Sequence, residues 1–576
     1  MIKFRTRFPN LIRKTIVPPC FRQEVSTNWQ LLAFKVAERK LRCLSSKSVS
    51  TNSVNLPDSE LKLSQSTVLE RRWVHVVGIG GAGMAPLAAV AWATGWEVSG
   101  SDLNGGRNCE ILTSIGIRVS VGPHNKRNLR LQASLDHARL PDLVVISSAV
   151  PTDNEEVAAA RLNGIEVITR KEWFERELYF RRIIAVSGTH GKTTTASFVA
   201  YTLSKLHKAR VTAIVGGEVP QFPLGAGFLL PALNGKDDSQ HQEWYVVEAD
   251  EYKEAFKGLR PEIIVLTSVD LEHVDCFPDI RSLKKSFFGF IQQLKRRGVI
   301  LVCSDHPGAL SVLELSRPYL EEKEAEILTY GLNSGEWRAV PNEKMVNGFK
   351  VYFRSSYVAE LRSKLPGQHN MLNTLAAFAA TATACQRRKP PLVDLQVIPD
   401  IMSSFRGVKR RFEIVGTKEV FREQKVCVID DYAHHPAEIR VAVDTAREVF
   451  SSEQWVIWAV FQPHTVSRLS ALSNDFVESL SLPDKVFVLD IYIAREEHLG
   501  TGPETEAFWR RAHAAGFERA QGDLTEAAER IANALLLRNG GAEERAKHTA
   551  VILLGAGDVT RLGPMLLSRM DRINKA

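Results

Sequence analysis

Residues 182–195 decide the fold, and they read Arg-Ile-Ile-Ala-Val-Ser-Gly-Thr-His-Gly-Lys-Thr-Thr-Thr. The first six residues form an apolar run that predicts a strand, and the glycines after it predict a turn. Lysine and three threonines then stand where a helix can begin. A strand that leads through a glycine turn into a helix is the unit from which parallel α/β sheets are built.

The same unit recurs on both sides of this stretch. Helices are predicted at 80–92 (after a turn), 154–163 and 372–385, and the Gly- and Pro-rich residues 216–243 predict a loop. Buried-strand runs are predicted at 73–79, 96–100, 143–148, 244–248, 262–267, 426–431, 455–461, 486–490 and 550–555. We therefore predict an α/β fold of three tandem domains that are not sequence repeats, with boundaries near residues 181 and 407.

Composition and charge exclude several classes of protein. Of the 576 residues, 44% are hydrophobic and 24% charged, which is typical of a globular chain and not of a disordered one. The seven scattered cysteines include no Cys-x-x-Cys pair and predict reduced thiols, not a disulfide framework or a zinc site. No apolar run reaches the roughly 18 residues that predict a membrane-spanning helix.

The net charge of +8 is located at one end of the chain. The first 50 residues hold eleven Lys or Arg and only two acidic residues, so the remainder is close to neutral. A nucleic-acid-binding face on the folded body thereby loses its support, and we expect no nucleic-acid partner.

The basic arm, residues 1–70, is Arg-rich, has no acidic residue before Glu24 and becomes rich in serine from Ser45. This composition is typical of an organellar transit peptide, and the arm lacks the apolar core of a secretory signal. An ordinary disordered basic tail is the alternative. Composition alone does not separate a plastid transit peptide from a mitochondrial one. Of the two organelles we expect the plastid or chloroplast, and if the arm is not a transit peptide we expect the protein in the cytoplasm.

A first glycine cluster, Gly-Ile-Gly-Gly-Ala-Gly at 78–83, lies between a predicted strand and a predicted helix. Its G-x-G-x-x-G spacing lets backbone N–H groups approach a diphosphate at a helix N-terminus. Asp102 ends the next strand, where a carboxylate can bind a ribose. NAD is the default ligand of such a pattern, although the pattern alone indicates a diphosphate without identifying the molecule that carries it.

The second cluster, residues 187–195, resembles a P-loop in which Val186 occupies the position of the usual first glycine. The backbone amides of such a loop surround phosphates, Lys192 would reach the β and γ oxygens, and Thr193 would bind Mg²⁺. A chance polar turn is the alternative, and the strand before the cluster and the helix after it argue against that. The phosphate-binding candidates are Gly188, Thr189, His190, Gly191, Lys192, Thr193 and Thr194.

Two acidic segments follow later strands. Glu248 lies in Val-Glu-Ala-Asp-Glu at 247–251, and Asp-Leu-Glu-His-Val-Asp occupies 270–275. Carboxylates at such strand ends hold Mg²⁺ in P-loop enzymes, and a solvated acidic loop is the alternative. A hydride-transfer enzyme needs no second, ATP-type loop. The two phosphate sites therefore predict one nucleotide-carrying substrate and one ATP.

Together with motifs further along the chain, these segments resemble those of the Mur ligases, in the same order, from about residue 72 to 565. The motifs that carry the resemblance are Gly78-Ile-Gly-Gly-Ala-Gly-Met84, Ser147-Ser-Ala149, Gly188-Thr-His-Gly-Lys-Thr-Thr194, Glu248-Ala-Asp-Glu251, Leu365-Pro-Gly-Gln-His-Asn-Met-Leu-Asn373, Arg410-Arg-Phe412, Asp430-Asp-Tyr-Ala-His-His-Pro436, Phe461-Gln-Pro-His464 and Gly555-Ala-Gly-Asp558.

The resemblance implies a Rossmann-like UDP-binding domain at 71–181, a P-loop ATP-binding domain at 182–407 and a Rossmann-like amino-acid- and ATP-binding domain at 408–576. It implies that the first glycine cluster holds a UDP-sugar diphosphate and not NAD. The implied reaction, a step of peptidoglycan-precursor synthesis, joins L-alanine to UDP-N-acetylmuramate with ATP and Mg²⁺. The muramoyl carboxylate would become an acyl phosphate, which the amine then attacks.

The resemblance also assigns roles position by position. Lys192 would stabilise the transferring phosphate, and Thr193, Glu248 and His273 would hold Mg²⁺. The adenine would lie against Asn370 and Asn373, which are three apart and so share one face of a helix. One arginine and one aspartate of the C-terminal domain would reach ATP. The arginine is Arg410 or Arg411, and the aspartate is Asp430 or Asp431. We take Arg410 and Asp431 as catalytic and Asp430 as ATP-binding.

The implied substrate-binding residues fall into two groups. For the UDP-sugar they are Gly78, Gly80, Gly81, Ala82, Gly83, Met84, Asp102, Ser147 and Ser148, and for the amino acid Tyr432, His434 and Arg468.

The chain departs from the family pattern mainly in the amino-acid pocket. Thr465 replaces an arginine, and Arg495 interrupts a Tyr-Ala-Ala-Gly-Glu segment. These changes place the choice of amino acid, and turnover itself, in question. The alternatives are the related ligase that joins a recycled tripeptide to the same sugar nucleotide, and a catalytically retired protein that binds a nucleotide as a scaffold or regulator. A folylpolyglutamate-type synthetase is disfavoured because the UDP-type domain is present.

Overall fold

The structure is a computed structural model that describes residues 72–130, 139–147, 149–151, 153–206, 210–231, 243–272, 276–342, 345, 347–387, 395–420, 424–493, 502–539 and 548–573. The predicted basic arm and the predicted site residues Ser148 and His273 lie outside these described residues.

The N-terminal unit is a five-stranded parallel sheet with four helices. Its strands are β1 (Trp73–Val77), β2 (Glu97–Asp102), β3 (Arg118–Val121), β4 (Leu143–Ile146) and β5 (Glu166–Thr169), and its helices are α1 (Met84–Ala93), α2 (Arg107–Ser114), α3 (Glu155–Leu162) and α4 (Arg170–Glu177). The strand order is β3-β2-β1-β4-β5. Every residue of β1 is buried, as expected for a central parallel strand covered on both faces.

The central unit is built on ten strands. The strands are β6 (Arg182–Ser187), β7 (Arg210–Ile214), β8 (Phe228–Leu229), β9 (Glu243–Ala249), β10 (Ile263–Leu266), β11 (Val299–Cys303), β12 (Glu326–Gly331), β13 (Trp337–Pro341), β14 (Gly348–Phe353) and β15 (Ser356–Arg362), and the helices are α5 (Lys192–Lys205), α6 (Ile280–Ile291), α7 (Pro307–Glu322), α8 (Gln368–Gln386) and α9 (Ile398–Ser403). The order is β15-β14-β13-β12-β11-β10-β6-β9-β7-β8, with antiparallel pairs at both edges.

The C-terminal unit has six strands. They are β16 (Glu413–Val420), β17 (Gln424–Asp431), β18 (Trp455–Phe461), β19 (Lys485–Leu489), β20 (Glu518–Ala520) and β21 (His548–Leu554), with helices α10 (Pro436–Val449), α11 (Val466–Ala471), α12 (Ser473–Leu480), α13 (Pro503–Ala514), α14 (Leu524–Asn539) and α15 (Leu562–Ile573). The order is β16-β17-β21-β18-β19-β20, and only the β16–β17 pair is antiparallel.

The α/β fold class is confirmed, and each predicted strand overlaps an observed one. The predicted boundaries near 181 and 407 fall between the three sheets, and the domain extents themselves stay predictions. The predicted loop 216–243 contains the short strand β8, which pairs with the edge strand β7. No helix among the described residues is both long enough and apolar enough to cross a membrane.

The topology determines where a site can form. In the central sheet β6 lies between β9 and β10, so the loops that follow these three parallel strands emerge side by side at one edge. Ligands bind at the carboxyl ends of strands in sheets of this kind. The P-loop segment and both acidic segments follow these strands, which brings the chemistry-bearing residues of the central unit together.

A buried polar network crosses the N-terminal sheet. Glu156 in α3 is fully buried, and its carboxylate accepts hydrogen bonds from Ser101 Oγ (2.5 Å) and Asn128 Nδ2 (2.5 Å) and contacts His75 Nε2 at 3.3 Å. Burial alone would raise the pKa of Glu156, but these hydrogen bonds and the His75 imidazole outweigh it and lower the pKa to about 2. Sequence analysis did not identify this network.

We expect Glu156→Gln to destabilise the N-terminal unit by about 3 kcal/mol at neutral pH, because burial leaves no water to replace the lost acceptor. The carboxylate's contribution is full above its ordinary pKa of 4.5 and is lost as pH falls towards about 2. The difference in Tm between wild type and variant, measured by calorimetry, will therefore shrink over that range. Glu155→Gln, at the exposed neighbouring position, is the control; a pH-independent difference would contradict this account.

Candidate active site between the central and C-terminal sheets

The P-loop segment forms a tight glycine turn between β6 and α5. Gly188 and Gly191 have φ of +131° and +79°, conformations that favour glycine. A Cβ at Gly188 would collide with Thr267 Oγ1, and one at Gly191 would collide with Asn373 Oδ1. The turn and the first residues of α5 also line a cavity. A helix N-terminus with free backbone amides at such a place fits an anion such as phosphate.

Lys192 lies at the first position of α5, and its ammonium group is held by a carboxylate. Its Nζ donates to Glu251 Oε1 (2.9 Å) and Oε2 (3.0 Å) and to the Thr189 carbonyl (3.1 Å). Burial would lower the pKa of Lys192, but the carboxylate of Glu251 and its acidic neighbours raise it above the usual value. Lys192 is thus a largely covered cation, with 12% of its side chain exposed, that faces the glycine turn. Glu251 lies in the motif at 247–251, but the sequence did not predict its contact with Lys192.

Thr193 and Glu248 form an oxygen-rich pair beside Lys192. Thr193 Oγ1 donates to Glu248 Oε1 at 2.8 Å, and the Gly216 amide donates to Glu248 Oε2 at 2.5 Å. Burial raises the pKa of Glu248. Hydroxyl and carboxylate oxygens are ligands that Mg²⁺ prefers, usually completed by water and substrate phosphates. The pair therefore fits Mg²⁺, although no cluster of three His, Cys, Asp or Glu occurs in the part of the chain that the structure describes.

The predicted adenine-binding residues lie at the start of α8. Asn370 and Asn373 are buried, line the same cavity and contact each other, with Asn373 Nδ2 3.3 Å from Asn370 Oδ1. Thr195 Oγ1 also donates to Asn373 Oδ1 at 3.3 Å. This bond connects α8 to the helix that carries the P-loop.

Of the adjacent pair Arg410 and Arg411, only one side chain lines the cavity. Arg411 lines the cavity, whereas the predicted Arg410 does not. Arg410 Nη2 instead donates to the Gly555 carbonyl at 2.6 Å, and its Nε lies 3.6 Å from Asp430. Arg410 has φ of +59°, which turns the backbone so that the two neighbouring side chains diverge. In this conformation Arg411 is the arginine that can reach a nucleotide.

The two aspartates at the end of β17 also point in different directions, as successive strand residues do. Asp431 lines the cavity and accepts hydrogen bonds from the Phe412 and Ala433 amides, both at 2.8 Å. Burial raises its pKa to about 6. Asp430 faces away and accepts a hydrogen bond from Thr560. Asp431 therefore lies where the sequence placed it, and Asp430, which the sequence assigned to ATP, does not line the cavity.

The predicted amino-acid pocket opens at the other end of the cavity. Arg468 has a buried Nη1 without a hydrogen-bond partner among the described residues, which fits a carboxylate ligand. Tyr432 and His434 lie beside it, and the ring of His464 stacks on Tyr492 with centroids 5.8 Å apart. Burial lowers the pKa of His434 to about 4, so its imidazole is neutral at physiological pH.

The glycine turn, the Thr193–Glu248 pair and the residues around Arg468 share one cavity of about 1170 Å³. This cavity extends from the P-loop to Arg468. Its lining combines residues of the central and C-terminal units, including Lys192, Glu248 and Asp431. One cavity thus contains the glycine turn, the Thr193–Glu248 pair and Arg468.

The first glycine cluster lies in the loop that follows β1, the central strand of the N-terminal sheet. Gly78 has φ of +76°, and the Gly80 amide donates to Asp102 Oδ2 at 2.9 Å. Asp102 thus holds the glycine loop, in addition to the ribose contact predicted for it. A Cβ at Gly83 would lie 2.5 Å from Arg170 Nη1, so an arginine that sequence analysis missed packs directly on the loop. It is the residue that follows β5 and begins α4.

The different surroundings of Arg410 and Arg411 lead to a test. We expect Arg411→Met to weaken nucleotide binding by ~10-fold, since a charge-assisted contact is lost. Arg410→Met will leave the nucleotide affinity within ~2-fold of wild type. It will lower Tm, because the Arg410 guanidinium donates a hydrogen bond to the buried Gly555 carbonyl. Fluorescent-nucleotide titration and thermal unfolding measure the two effects. The reverse pattern would show that Arg410 turns into the cavity.

Comparison with known proteins identifies the family. Three family models match consecutive parts of the chain: the catalytic domain of the Mur ligase family over residues 73–178, the Mur ligase middle domain over 186–381 and the glutamate ligase domain of Mur ligases over 410–557. The chain belongs to the Mur ligase family, which confirms the resemblance found in the sequence.

Within this family, the chain is similar to ligases that act on UDP-N-acetylmuramate and alanine, according to their names. The chain is 35% identical over 519 residues to the UDP-N-acetylmuramate–L-alanine ligase of Frankia casuarinae, covering 86% of this chain and 97% of the relative. The enzyme of that name from Clostridium acetobutylicum is 31% identical over 500 residues, with the same coverage. The solved UDP-N-acetylmuramate-alanine ligase of Thermotoga maritima has a TM-score of 0.63 and 25% identity, covering 87% of this chain and 99% of that one.

Proposed function

We propose that this protein joins L-alanine to UDP-N-acetylmuramate at the expense of ATP, a step of peptidoglycan-precursor synthesis. The observation that carries the proposal is the single cavity in which Lys192, the Thr193–Glu248 pair and Arg468 face one another. The names of its relatives support the choice of substrates. The glycine loop held by Asp102 would bind the UDP diphosphate through its amides.

The chemistry follows from charge. A carboxylate is a poor acyl donor until one of its oxygens becomes a good leaving group. The muramoyl carboxylate oxygen would attack the γ-phosphorus, and the bond to ADP would break. Lys192 and the amides of the turn would stabilise the charge on the transferring phosphoryl group. Mg²⁺ at Thr193 and Glu248 would neutralise further charge on the phosphate oxygens.

The second step uses the C-terminal unit. Arg468 would hold the carboxylate of alanine, leaving its amine directed at the acyl phosphate. The amine nitrogen forms the new C–N bond, the carbon–oxygen bond to phosphate breaks, inorganic phosphate leaves and the amine gives up a proton. Holding both reactants in one cavity supplies much of the acceleration, because an encounter in solution becomes a unimolecular step.

The test is phosphate release by the full chain given ATP, Mg²⁺, UDP-N-acetylmuramate and one acceptor at a time: alanine, glycine, serine or the recycled tripeptide. We expect release that requires both the sugar nucleotide and alanine. Release with the tripeptide alone would assign the recycling reaction instead. Tight nucleotide binding without phosphate release in the presence of any acceptor would favour a catalytically retired protein that acts as a scaffold or regulator. Thr465, which lines the cavity, motivates this alternative.

We further propose that the basic arm directs the protein to an organelle, with the plastid favoured. Its Arg-rich, acid-poor composition supports this proposal. N-terminal sequencing of the protein isolated from its own cells tests it: we expect a start within or just after residues 1–70. A mature chain that begins at Met1 would contradict cleavage after import.

A further inference from the structure

Glu438 occupies a central place in the cavity that neither motif nor mechanism has used. It lies in the first turn of α10, and its side chain is only 15% exposed. One carboxylate oxygen, Oε2, accepts from the His434 amide at 3.0 Å and lies 3.3 Å from His434 Nδ1. Glu438 therefore fixes the loop that carries two of the predicted amino-acid-binding residues.

The other oxygen, Oε1, connects two units of the fold. It lies 3.8 Å from Arg411 Nη1 and 3.8 Å from His190 Nδ1. His190 belongs to the P-loop of the central unit, whereas Arg411 and Glu438 belong to the C-terminal unit. One carboxylate thus contacts the phosphate-binding turn, the nucleotide-facing arginine and the amino-acid loop.

The imidazole of His190 is placed to pair with the Glu438 carboxylate. Both of its ring nitrogens are buried without a hydrogen bond among the described residues, and Asp270 lies 3.5 Å from Nε2. Burial would lower the pKa of His190, but Glu438, Glu272 and Asp270 raise it above the usual value. Burial would raise the pKa of Glu438, but His434, His190 and Arg411 hold it well below its usual range. The Glu438 carboxylate and the His190 imidazole therefore face each other across the two units.

We propose that Glu438 is a positioning residue that sets the amino-acid pocket and Arg411 in register with the P-loop. The expected effect of Glu438 on ligation rests on the proposed function. The contact of Glu438 with His190 does not depend on that function. Positioning matters because a displacement of about 1 Å between reacting groups can cost about 100-fold in rate. Loss of this carboxylate would remove the acceptor of the His434 N–H and the negative charge that faces His190 and Arg411.

Glu438→Gln is the sharpest variant, because the amide keeps an oxygen for the His434 N–H and loses only the charge. We expect kcat/KM for alanine to fall by ~10- to 100-fold, nucleotide binding to weaken by ~5-fold and UDP-sugar binding to stay within ~2-fold. Glu448→Gln, the same change at an exposed position of α10, is the matched control. A normal kcat/KM in Glu438→Gln would overturn the proposal.

A double-mutant cycle tests the contact between units without relying on turnover. His190→Gln, Glu438→Gln and the double variant are compared by titration of the full chain with a fluorescent, non-hydrolysable ATP analogue. We expect the double variant to bind no more weakly than the weaker single variant, since both remove one interaction. Additive losses would overturn the proposal. If wild type releases no phosphate with any acceptor, the proposed function fails, whereas this cycle still decides the role of Glu438.

Discussion

Lys192→Ala will reduce ATP-dependent phosphate release by ~1,000-fold or more, while UDP-N-acetylmuramate binding stays within ~2-fold. The Lys192 ammonium group lies at the glycine turn, where the γ-phosphate would lie, so its removal takes away the charge that would stabilise the transferring group. The proposed UDP-sugar site lies on the N-terminal sheet, and none of its described residues is among those that line the cavity with Lys192. Phosphate release and isothermal titration with the sugar nucleotide measure the two properties separately.

Two controls separate this effect from misfolding. Lys205→Ala changes a lysine at the exposed end of the same helix and should behave as wild type. Because Lys192→Ala leaves the carboxylate of Glu251 buried without its partner, the Lys192→Ala/Glu251→Gln double variant should recover Tm and remain inactive. Equal loss of phosphate release and UDP-sugar binding in Lys192→Ala would refute the division between the two sites.

Glu248→Gln will lower kcat/KM by ~100- to 1,000-fold and raise the Mg²⁺ concentration needed for half-maximal activity. The amide keeps an oxygen for the Gly216 N–H but removes the negative charge that, with Thr193 Oγ1, fits a magnesium ion. A magnesium titration of phosphate release measures both numbers. Direct Mn²⁺ binding, followed by electron paramagnetic resonance in the presence of ATP, gives a readout that does not depend on turnover.

The control is Glu254→Gln, which changes a partly exposed glutamate in the same loop region that pairs with Lys257. It should leave the magnesium dependence unchanged. A Glu248→Gln variant that lost activity with an unaltered metal requirement would assign Glu248 to another task, such as holding the Gly216 loop.

The sequence was sufficient wherever chemistry lies in one contiguous segment. The P-loop could be predicted because a strand, a glycine turn and a helix start follow one another, and the structure places Gly188, Gly191 and Lys192 in that turn. Glu248 could be predicted because it ends a buried strand next to β6. In both cases short-range pattern and strand order determine where the side chain lies.

The remaining site residues depend on backbone detail that no pattern carries. Two adjacent arginines match the same motif, and only the positive φ of Arg410 decides that Arg411 faces the cavity. Glu438 became visible only when the fold brought α10 against the P-loop. Its one sequence signal, an acidic residue in the first turn of a helix after His-His-Pro, is shared by many helices that bind nothing.

Sheet edges were also hard to predict. The antiparallel strands β13, β14 and β15 are partly exposed, so they lack the continuous apolar runs by which β6, β9 and β10 were recognised. The Glu156 network was missed for a related reason. Its His, Ser, Asn and Glu members come from four separate segments, and only the packed N-terminal sheet joins them.

The central claim is that ATP activates the muramoyl carboxylate in this cavity, and oxygen labelling tests it most directly. UDP-N-acetylmuramate labelled with ¹⁸O in both carboxylate oxygens is incubated with the full chain, ATP, Mg²⁺ and L-alanine, and the released phosphate is analysed by mass spectrometry. Because the attacking oxygen stays on phosphorus when the amine displaces it, we expect one ¹⁸O in each inorganic phosphate. Phosphate without ¹⁸O, or phosphate released equally well without the sugar nucleotide, would contradict the account.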